Sequence, residues 1–428
     1  MNREVAAGGG RIVRADELGF EPPRTLDELR TFLQYALQVE HITVPPYLTA
    51  MYTLRPGTNR SAFYVIRSVV LEEMLHMTLV SNLLNAVGGT PCVAHPEFVL
   101  KYPATLPLSA DKTPIPLQHF SPEALRTFLR IEQPQSLTSP PRASAPTGTA
   151  GPAGTAGPAG TAGASGASGA SEPDGWTSIG QFYSYIRQGL TNLVRELGEK
   201  AVFTGDPSEQ VGPEDFYNSG GEVFKITGRD SALLALRVVS EQGEGLGDSI
   251  WDSDDQIFGE ERQVAHYFRF NEIAVGRLYG RHDLPKDAPS GPPLNVTWQD
   301  VYRIDGDSTV AEYERFPDKS VYQHAKAFND AYARMLAFLQ KGFTGRPRDI
   351  AHAVPVMLEL RDRGHALYRN PHPDPGKAAG GLFASATFEI DQDTIDRAVG
   401  HADSRVEAAG LATGEPIDLS ALTAPRLS

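Results

Sequence analysis

The 428-residue chain contains a single cysteine, Cys92, which excludes an intrachain disulfide and any metal site built from several thiolates. It also lacks a basic excess: its formal net charge is −14, whereas nucleic-acid binding needs a positive face for the phosphates. No run approaches the roughly 18 apolar residues of a membrane span, and the N-terminus lacks the apolar core of a signal peptide. These absences predict a cytoplasmic protein that binds neither nucleic acid nor membranes.

A short tandem repeat of glycine, alanine, threonine, proline and serine lies within residues 138–172. It offers no large apolar side chain whose burial could offset the entropy lost on ordering, so we predict a disordered insertion there. The insertion divides a helical bundle into a first half with a long loop, residues 1–137, and a second half, residues 173–290. Residues 291–428 are predicted to form a C-terminal helical extension and tail.

Apolar residues recur every three or four positions around the insertion, which is the period of helices with one buried face. Thr25 and Glu28 have the spacing of a capping box at a helix start, and Pro45-Pro46 should end or kink that helix. Further predicted helices cover about residues 60–87, 122–130, 177–199, 229–243, 256–280, 318–342 and 347–369. The last two make a C-terminal helical pair, and the fold class is mainly α.

Four of these helices carry a potential metal ligand inside an apolar stretch. Glu73 and His76, in the sequence EEMLH, are three residues apart, so they share one helix face and can reach a single ion. Glu40, Glu241 and His266 lie on three other predicted helices. Burying such carboxylates unpaired would be costly, and a divalent cation is the simplest compensation. Carboxylate together with imidazole suits iron, manganese or zinc.

The last of these motifs departs from the pattern of di-iron carboxylate bundles, which use one Glu from each of two helices and Glu-x-x-His from the other two. Three residues before His266 the chain has Gln263, whose amide oxygen can ligate but brings no negative charge. Glu244 is the replacement carboxylate that we consider. One position could therefore be weaker, differently filled or vacant. The predicted ligands of one or two ions are Glu40, Glu73, His76, Glu241, His266, Glu244 and Gln263.

At these residues the chain resembles the ferritin-like family related to the iminophenyl-pyruvate dimer synthase domain of violacein and indolocarbazole pathways. The matching stretches are LQYALQVEHITVPPYLTAMYTL, VVLEEMLHMTLVSNLLNAVGGTP, TSIGQFYSYI, VVSEQGEG and AHYFRFNEI, and the similarity extends into residues 318–369. The resemblance implies a ferritin-like bundle with inward Glu and His residues and a metal site. In that family Glu usually precedes this His by three residues, and Gln263 departs from it.

Three functions stay open. The first is an oxidative enzyme of a biosynthetic pathway, a non-haem oxidoreductase whose di-iron centre, or a manganese or zinc equivalent, acts on a small, amino acid-derived substrate. The second is metal binding or iron handling without an organic substrate. The third is a structural bundle with a relic site, whose acids pair with Arg67, Arg237 or Arg269. A homo-oligomer is left open, and no catalytic residue is assigned.

Two further predictions concern residues near the site. Trp176, Phe182 and Tyr183, at the start of the third bundle helix, are assigned to the hydrophobic core. Arg269 lies one helical turn from His266, and we expect it to pair with an acid that supports the site rather than to bind an anionic substrate.

Overall fold

The computed structural model describes residues 21–138, 175–216 and 223–408. The predicted disordered insertion lies outside these ranges apart from residue 138, as do residues 1–20 and the end of the predicted tail. The helices are α1 (Leu26–Thr53), α2 (Arg60–Ala86), α3 (Pro122–Ile131), α4 (Gln135–Thr138), α5 (Ile179–Leu197), α6 (Glu199–Val202), α7 (Arg229–Glu244), α8 (Asp254–Ile257), α9 (His266–Val275), α10 (Val310–Glu314), α11 (Ser320–Phe343), α12 (Ala353–Tyr368), α13 (Pro375–Ala379) and α14 (Gln392–Ala408), with 3₁₀ helices at Pro207–Glu209 and Pro347–His352. The described ranges contain isolated β-bridges and no strand, which confirms the mainly α prediction.

Four helices, α1, α2, α5 and α7, form the bundle. Helix α1 packs along α2, α5 packs on α1 and α7, and α7 also contacts α2. The Thr25 hydroxyl accepts a 3.1 Å hydrogen bond from the backbone N–H of Glu28, so the predicted N-cap of α1 is confirmed. Helix α2 ends just before Gly88, whose φ of +71° is the left-handed conformation that glycine adopts at helix ends.

Pro45 and Pro46 lie inside α1 and do not end it, so that part of the prediction is wrong. Each proline lacks the N–H that would bond to the carbonyl four residues earlier. The carbonyl of Ile42, which Pro46 leaves without its helical partner, instead accepts a 2.8 Å hydrogen bond from the Tyr102 hydroxyl. The loop between α2 and α3 thus replaces part of the lost bonding, and α1 continues to Thr53.

The prediction of a single helix over residues 256–280 is also wrong, because the chain forms two separate helices there, α8 and α9. Gln263 lies in an extended segment between them, where its backbone N–H donates to the Asp252 carboxylate and its carbonyl accepts from the Asp252 N–H, both at 2.9 Å. Helix α9 begins only at His266. Gln263 is therefore not one helical turn before that histidine, and the proposed Gln-x-x-His face does not form.

The predicted C-terminal helical pair is present as α11 and α12, which pack against each other. Helix α12 contacts α1 and α11 contacts α2, so the pair shares one continuous hydrophobic core with the bundle. Helix α14, which the sequence patterns did not predict, packs on α11. In the part of the chain that the structure describes, every helix is too short or too polar to span a membrane.

Candidate metal centre

Five buried side chains converge between α1, α2, α3 and α9. Glu40 comes from the middle of α1, and Glu73 and His76 come from successive turns of α2. Glu132 caps the end of α3, and His266 is the first residue of α9. Each is at most 4% exposed. The inward placement of Glu40, Glu73, His76 and His266 agrees with the sequence prediction.

The potential ligand atoms form two groups that share Glu73. We call Glu40, Glu73 and His76 the first ligand group, and Glu73, Glu132 and His266 the second; within each, the three ligand atoms lie within 4.8 Å of one another. His76 Nδ1 is 3.1 Å from Glu40 and 3.9 Å from Glu73. His266 Nδ1 is 3.1 Å from Glu73 and 3.7 Å from Glu132. The shared carboxylate could therefore contact two cations.

A hydrogen-bonded chain behind His76 fixes which ring nitrogen carries the proton. The amide nitrogen of Gln242, on α7, donates to both carboxylate oxygens of Asp254, at 3.0 and 3.1 Å. The Gln242 Oε1 therefore faces His76 Nε2, 2.8 Å away, and accepts its proton. Nδ1 points toward the carboxylates of the first ligand group, 3.1 Å from Glu40, where a cation could replace a proton.

His266 is oriented in the same way by a different partner. Its Nε2 donates to the Glu72 carboxylate at 2.9 Å, and Glu72 also accepts a 2.8 Å bond from Arg269. The pairing predicted for Arg269 is confirmed. His266 Nδ1 is fully buried and has no hydrogen-bond partner in the described structure. Burial lowers the pKa of His266, but hydrogen bonding with Glu132, Glu72 and Glu73 raises it well above its ordinary value. A cation bound at Nδ1 would take the place of the Nδ1 proton and face the same two acids.

The carboxylates crowd one another without a cation. Burial, followed by the charge of Glu132, raises the pKa of Glu73 well above its ordinary value. Burial alone would also raise the pKa of Glu40, but hydrogen bonding and charge from His76, aided by Tyr183, bring it below the ordinary value. Against the effect of burial, Arg269 and His266 lower the pKa of Glu72 to about 2. A divalent cation would neutralise the excess negative charge of the two ligand groups.

Two buried tyrosines hold the outer carboxylates. The Tyr183 hydroxyl, from α5, donates to Glu40 Oε1, and the Tyr47 hydroxyl, from α1, donates to Glu132 Oε1, both at 2.5 Å. Burial raises the pKa of both phenols well above the ordinary value, so they remain protonated donors. The ring of Tyr183 is buried as predicted, but the assignment to the core missed its contact with a potential ligand.

Glu241 does not belong to either ligand group in the described structure. Its carboxylate accepts two 3.0 Å hydrogen bonds from Arg237, one helical turn earlier, and a further bond from Ser253. Successive helical residues point about 100° apart, so α7 turns Gln242 toward His76 and directs Glu241 elsewhere. The sequence pattern therefore selected the correct turn of α7, one residue away from the side chain that supports the site.

Glu244 and Gln263, the other two predicted ligands, also lie outside both groups. The Glu244 carboxylate accepts backbone hydrogen bonds from Gly180 at 2.5 Å and Gln135 at 3.1 Å. It thereby caps the first turn of α5, where free N–H groups favour a negative charge. Gln263 is held by its backbone in the extended segment before α9. Neither placement supplies the fourth carboxylate that the helical spacing suggested.

Sequence reasoning missed Glu132, although a signal for it exists. Leu125 and Phe128 lie three residues apart on the buried face of α3, and Glu132 follows Phe128 by four residues. That spacing places the acid on the apolar face of the same short helix. An acid on that face is a candidate ligand for the same reason as Glu40.

A third group of potential ligands, Asp305, Glu312 and His372, lies away from the bundle centre. The Lys377 amine already sits 2.5 Å from Asp305 and 2.6 Å from Glu312. His372 Nδ1 accepts the backbone N–H of Asp374. An ion-paired lysine accounts for these charges, so this group needs no metal.

Comparison with known proteins points to one family. The ferritin-like family model matches residues 33–275, which include both ligand groups. The chain is 26% identical over 349 residues to dichlorochromopyrrolate synthase from Lentzea aerocolonigenes, covering 76% of this chain and 29% of that protein. It is 23% identical over 409 residues to 2-imino-3-(indol-3-yl)propanoate dimerase from Chromobacterium violaceum, covering 87% of this chain and 34% of that protein. It thus spans about a third of the length of these curated relatives.

Among solved structures, a ferritin-like protein from Caulobacter vibrioides is similar. The two are 21% identical with a TM-score of 0.48, and the match covers 81% of this chain and 97% of that one.

Proposed function

We propose, since this chain belongs to the ferritin-like family, that it is a metal-dependent oxidative enzyme of a biosynthetic pathway. Two ions, which we take to be iron, would be held by the first and second ligand groups, with Glu73 shared between them. The substrate would be a small, amino acid-derived organic acid. The same site could hold manganese or zinc, whose ligand preferences overlap with those of iron.

One observation carries the proposal. Both histidines present Nδ1 to the carboxylates, because Gln242 and Glu72 each accept the proton on Nε2. A relic site in which acids pair with arginines would not need this arrangement, since Glu40, Glu73 and Glu132 have no arginine partner among the described residues. Two imidazole nitrogens that face three buried acids form a donor set for cations once a cation displaces their protons.

The residues of this chain would bind and shield the ions. Iron bound to such a donor set supplies one-electron steps and reaction with dioxygen. Glu72 and Gln242 keep the two imidazoles in the ligating tautomer, while Tyr47 and Tyr183 hold the outer carboxylates in place. The nearly complete burial of all five ligands keeps bulk water away from the oxidising centre.

The names of the relatives suggest the substrate class. One relative is named as a synthase of dichlorochromopyrrolate and the other as a dimerase of 2-imino-3-(indol-3-yl)propanoate, an acid with an amino acid skeleton and an imine. We propose a 2-imino acid with an aromatic side chain as the substrate here. The chain spans about a third of either relative, so the proposal covers only an oxidative step at this centre.

The test begins with metal-free purified protein loaded with ferrous iron under nitrogen. Iron per chain is measured first, and dioxygen is then admitted with or without a 2-imino acid generated from tryptophan by an amino acid oxidase, with catalase present. We expect mass spectrometry to detect an oxidised product that is absent with the metal-free protein and with Glu73→Gln. Iron oxidation without any such product would instead favour iron handling, and failure to bind metal would contradict both functions.

A further inference from the structure

A groove between α5 and α7 opens beside the metal centre and encloses about 470 Å³. Its α5 wall is formed by Gly180, Tyr183 and Arg187, which recur at three- and four-residue spacing along one helix face. Leu236 and Ser240 contribute to the opposite wall from α7. A volume of this size lies within the range of small-molecule sites, roughly 300–1,000 Å³.

One side chain links the groove to the first ligand group. Tyr183 lines the groove, and its hydroxyl donates to Glu40. Pro134, which also lines the groove, lies two residues after Glu132 of the second ligand group. A molecule bound in this groove would therefore lie one side chain away from the first ligand group without displacing any of the five ligands.

The charged side chains of the inner groove already have partners, with one exception. Arg237 pairs with Glu241 at 3.0 Å, and Glu244 is held by backbone N–H groups. Asp248 lies at the rim and is exposed. The exposed guanidinium of Arg187 makes no hydrogen bond or ion pair with the part of the chain that the structure describes. It is thus the cation in this groove that remains free to bind an anion.

We propose that this groove is the substrate site and that Arg187 binds the substrate carboxylate. Arginine presents parallel N–H donors that match the two oxygens of a carboxylate. The body of the substrate would then extend along Leu236 toward Tyr183 and the metal centre. The groove would accept small acids with an aromatic or aliphatic body and discriminate against their uncharged amides. The substrate class rests on the proposed function, whereas the groove and its free cation do not.

Calorimetry with the full, metal-loaded chain tests this, using indole-3-propanoate as the carboxylate probe and indole-3-propanamide as the uncharged probe. We expect Arg187→Ala to weaken binding of the acid by about tenfold or more and to leave binding of the amide unchanged, because a charge-assisted bidentate bond is lost. Arg187→Lys should bind the acid more weakly than the wild type and more tightly than Arg187→Ala. Arg195→Ala is the matched control, since Arg195 lies on the same helix, is exposed and does not line the groove.

Three results would overturn the groove assignment: no binding of the acid by the wild type, equal binding of acid and amide, or unchanged binding of the acid by Arg187→Ala. Each can be told apart from failure of the proposed function, because metal content and product formation are measured separately. A protein that binds the acid through Arg187 yet forms no oxidised product would keep the site and lose the reaction. Melting curves verify that the Arg187 variants remain folded.

Discussion

The two ligand groups are built from different parts of the helices. In the first group, Glu40 and His76 lie within α1 and α2, helices of 28 and 27 residues whose packing fixes each side chain. In the second group, Glu132 and His266 lie at the end of α3 and the start of α9, helices of ten residues each. Backbone outside a helix interior adjusts more easily, so we expect the second group to tolerate changes that the first does not.

The supports of the two histidines differ as well. His76 donates to the neutral amide of Gln242, whereas His266 donates to the Glu72 carboxylate. A carboxylate partner makes an imidazole the stronger electron donor to a metal. The second group thus combines a more adaptable backbone with a histidine that donates to a charged partner. The two ion positions should therefore be inequivalent, even though they share Glu73.

The most damaging single change should be at Glu73, since it belongs to both groups. We expect Glu73→Gln to reduce bound iron from about two ions per chain to nearly none, because each position loses its shared anionic ligand. Elemental analysis of the loaded protein measures this. The matched control is Glu241→Gln, which removes a partly buried carboxylate of α7 that pairs with Arg237 and should leave iron content unchanged.

Melting temperatures show whether loss of iron reflects a lost ligand or a lost fold. Glu73 is crowded by Glu132 and Glu40, which raise its pKa beyond the effect of burial. Because of this raised pKa, the free energy of unfolding of the metal-free protein falls as the pH rises above the ordinary glutamate pKa of 4.5. A neutral glutamine at this position does not lose stability in this way. The metal-free variant should melt no lower than metal-free wild type at pH 7. Full iron content in the variant would contradict the shared ligand.

A smaller effect is expected when only one group loses its outer carboxylate. Glu40→Gln should remove the ion of the first group, and Glu132→Gln should remove the ion of the second, so that each variant retains about one ion. Anomalous diffraction at the iron edge would identify which position remains filled. If either variant lost both ions, or neither, the two groups would not be the separate positions that their geometry indicates.

The same contrast explains what could be predicted from the sequence. Periodicity over long helices fixed the faces of α1 and α2, and with them Glu40, Glu73 and His76, all of which lie in the cluster. Glu132 was missed because it lies just beyond the predicted end of a short helix, at about residue 130, where the helical period no longer assigns a face. The family resemblance correctly identified a ferritin-like fold.

Errors at α7 and α9 have a different origin. At α7 a shift of one residue, about 100° of rotation, separates Glu241 from the inward Gln242, and a weakly amphipathic pattern does not resolve it. At α9 the helix start is set by pairing of the preceding segment with residues 251–252, a tertiary contact that local spacing does not contain. Gln263 was therefore assigned to a helix face that does not exist.

The smallest effect, and the finest comparison of the two groups, concerns their tyrosines. Tyr183→Phe and Tyr47→Phe each remove one hydroxyl that donates to an outer carboxylate, Glu40 or Glu132, while keeping the ring. Each should weaken iron binding in its own group by less than about tenfold, because one hydrogen bond is lost and the ligand itself remains. Competition against a chromogenic chelator measures the two affinities.

Tyr332→Phe is the control, since that buried hydroxyl bonds to His41 and no ligand of the cluster. If the control lost as much affinity for iron as the other two variants, general destabilisation would explain the effect in all three. If Tyr47→Phe weakened binding less than Tyr183→Phe, the adaptable backbone around Glu132 would be compensating for the lost hydroxyl, as the helix-end position predicts.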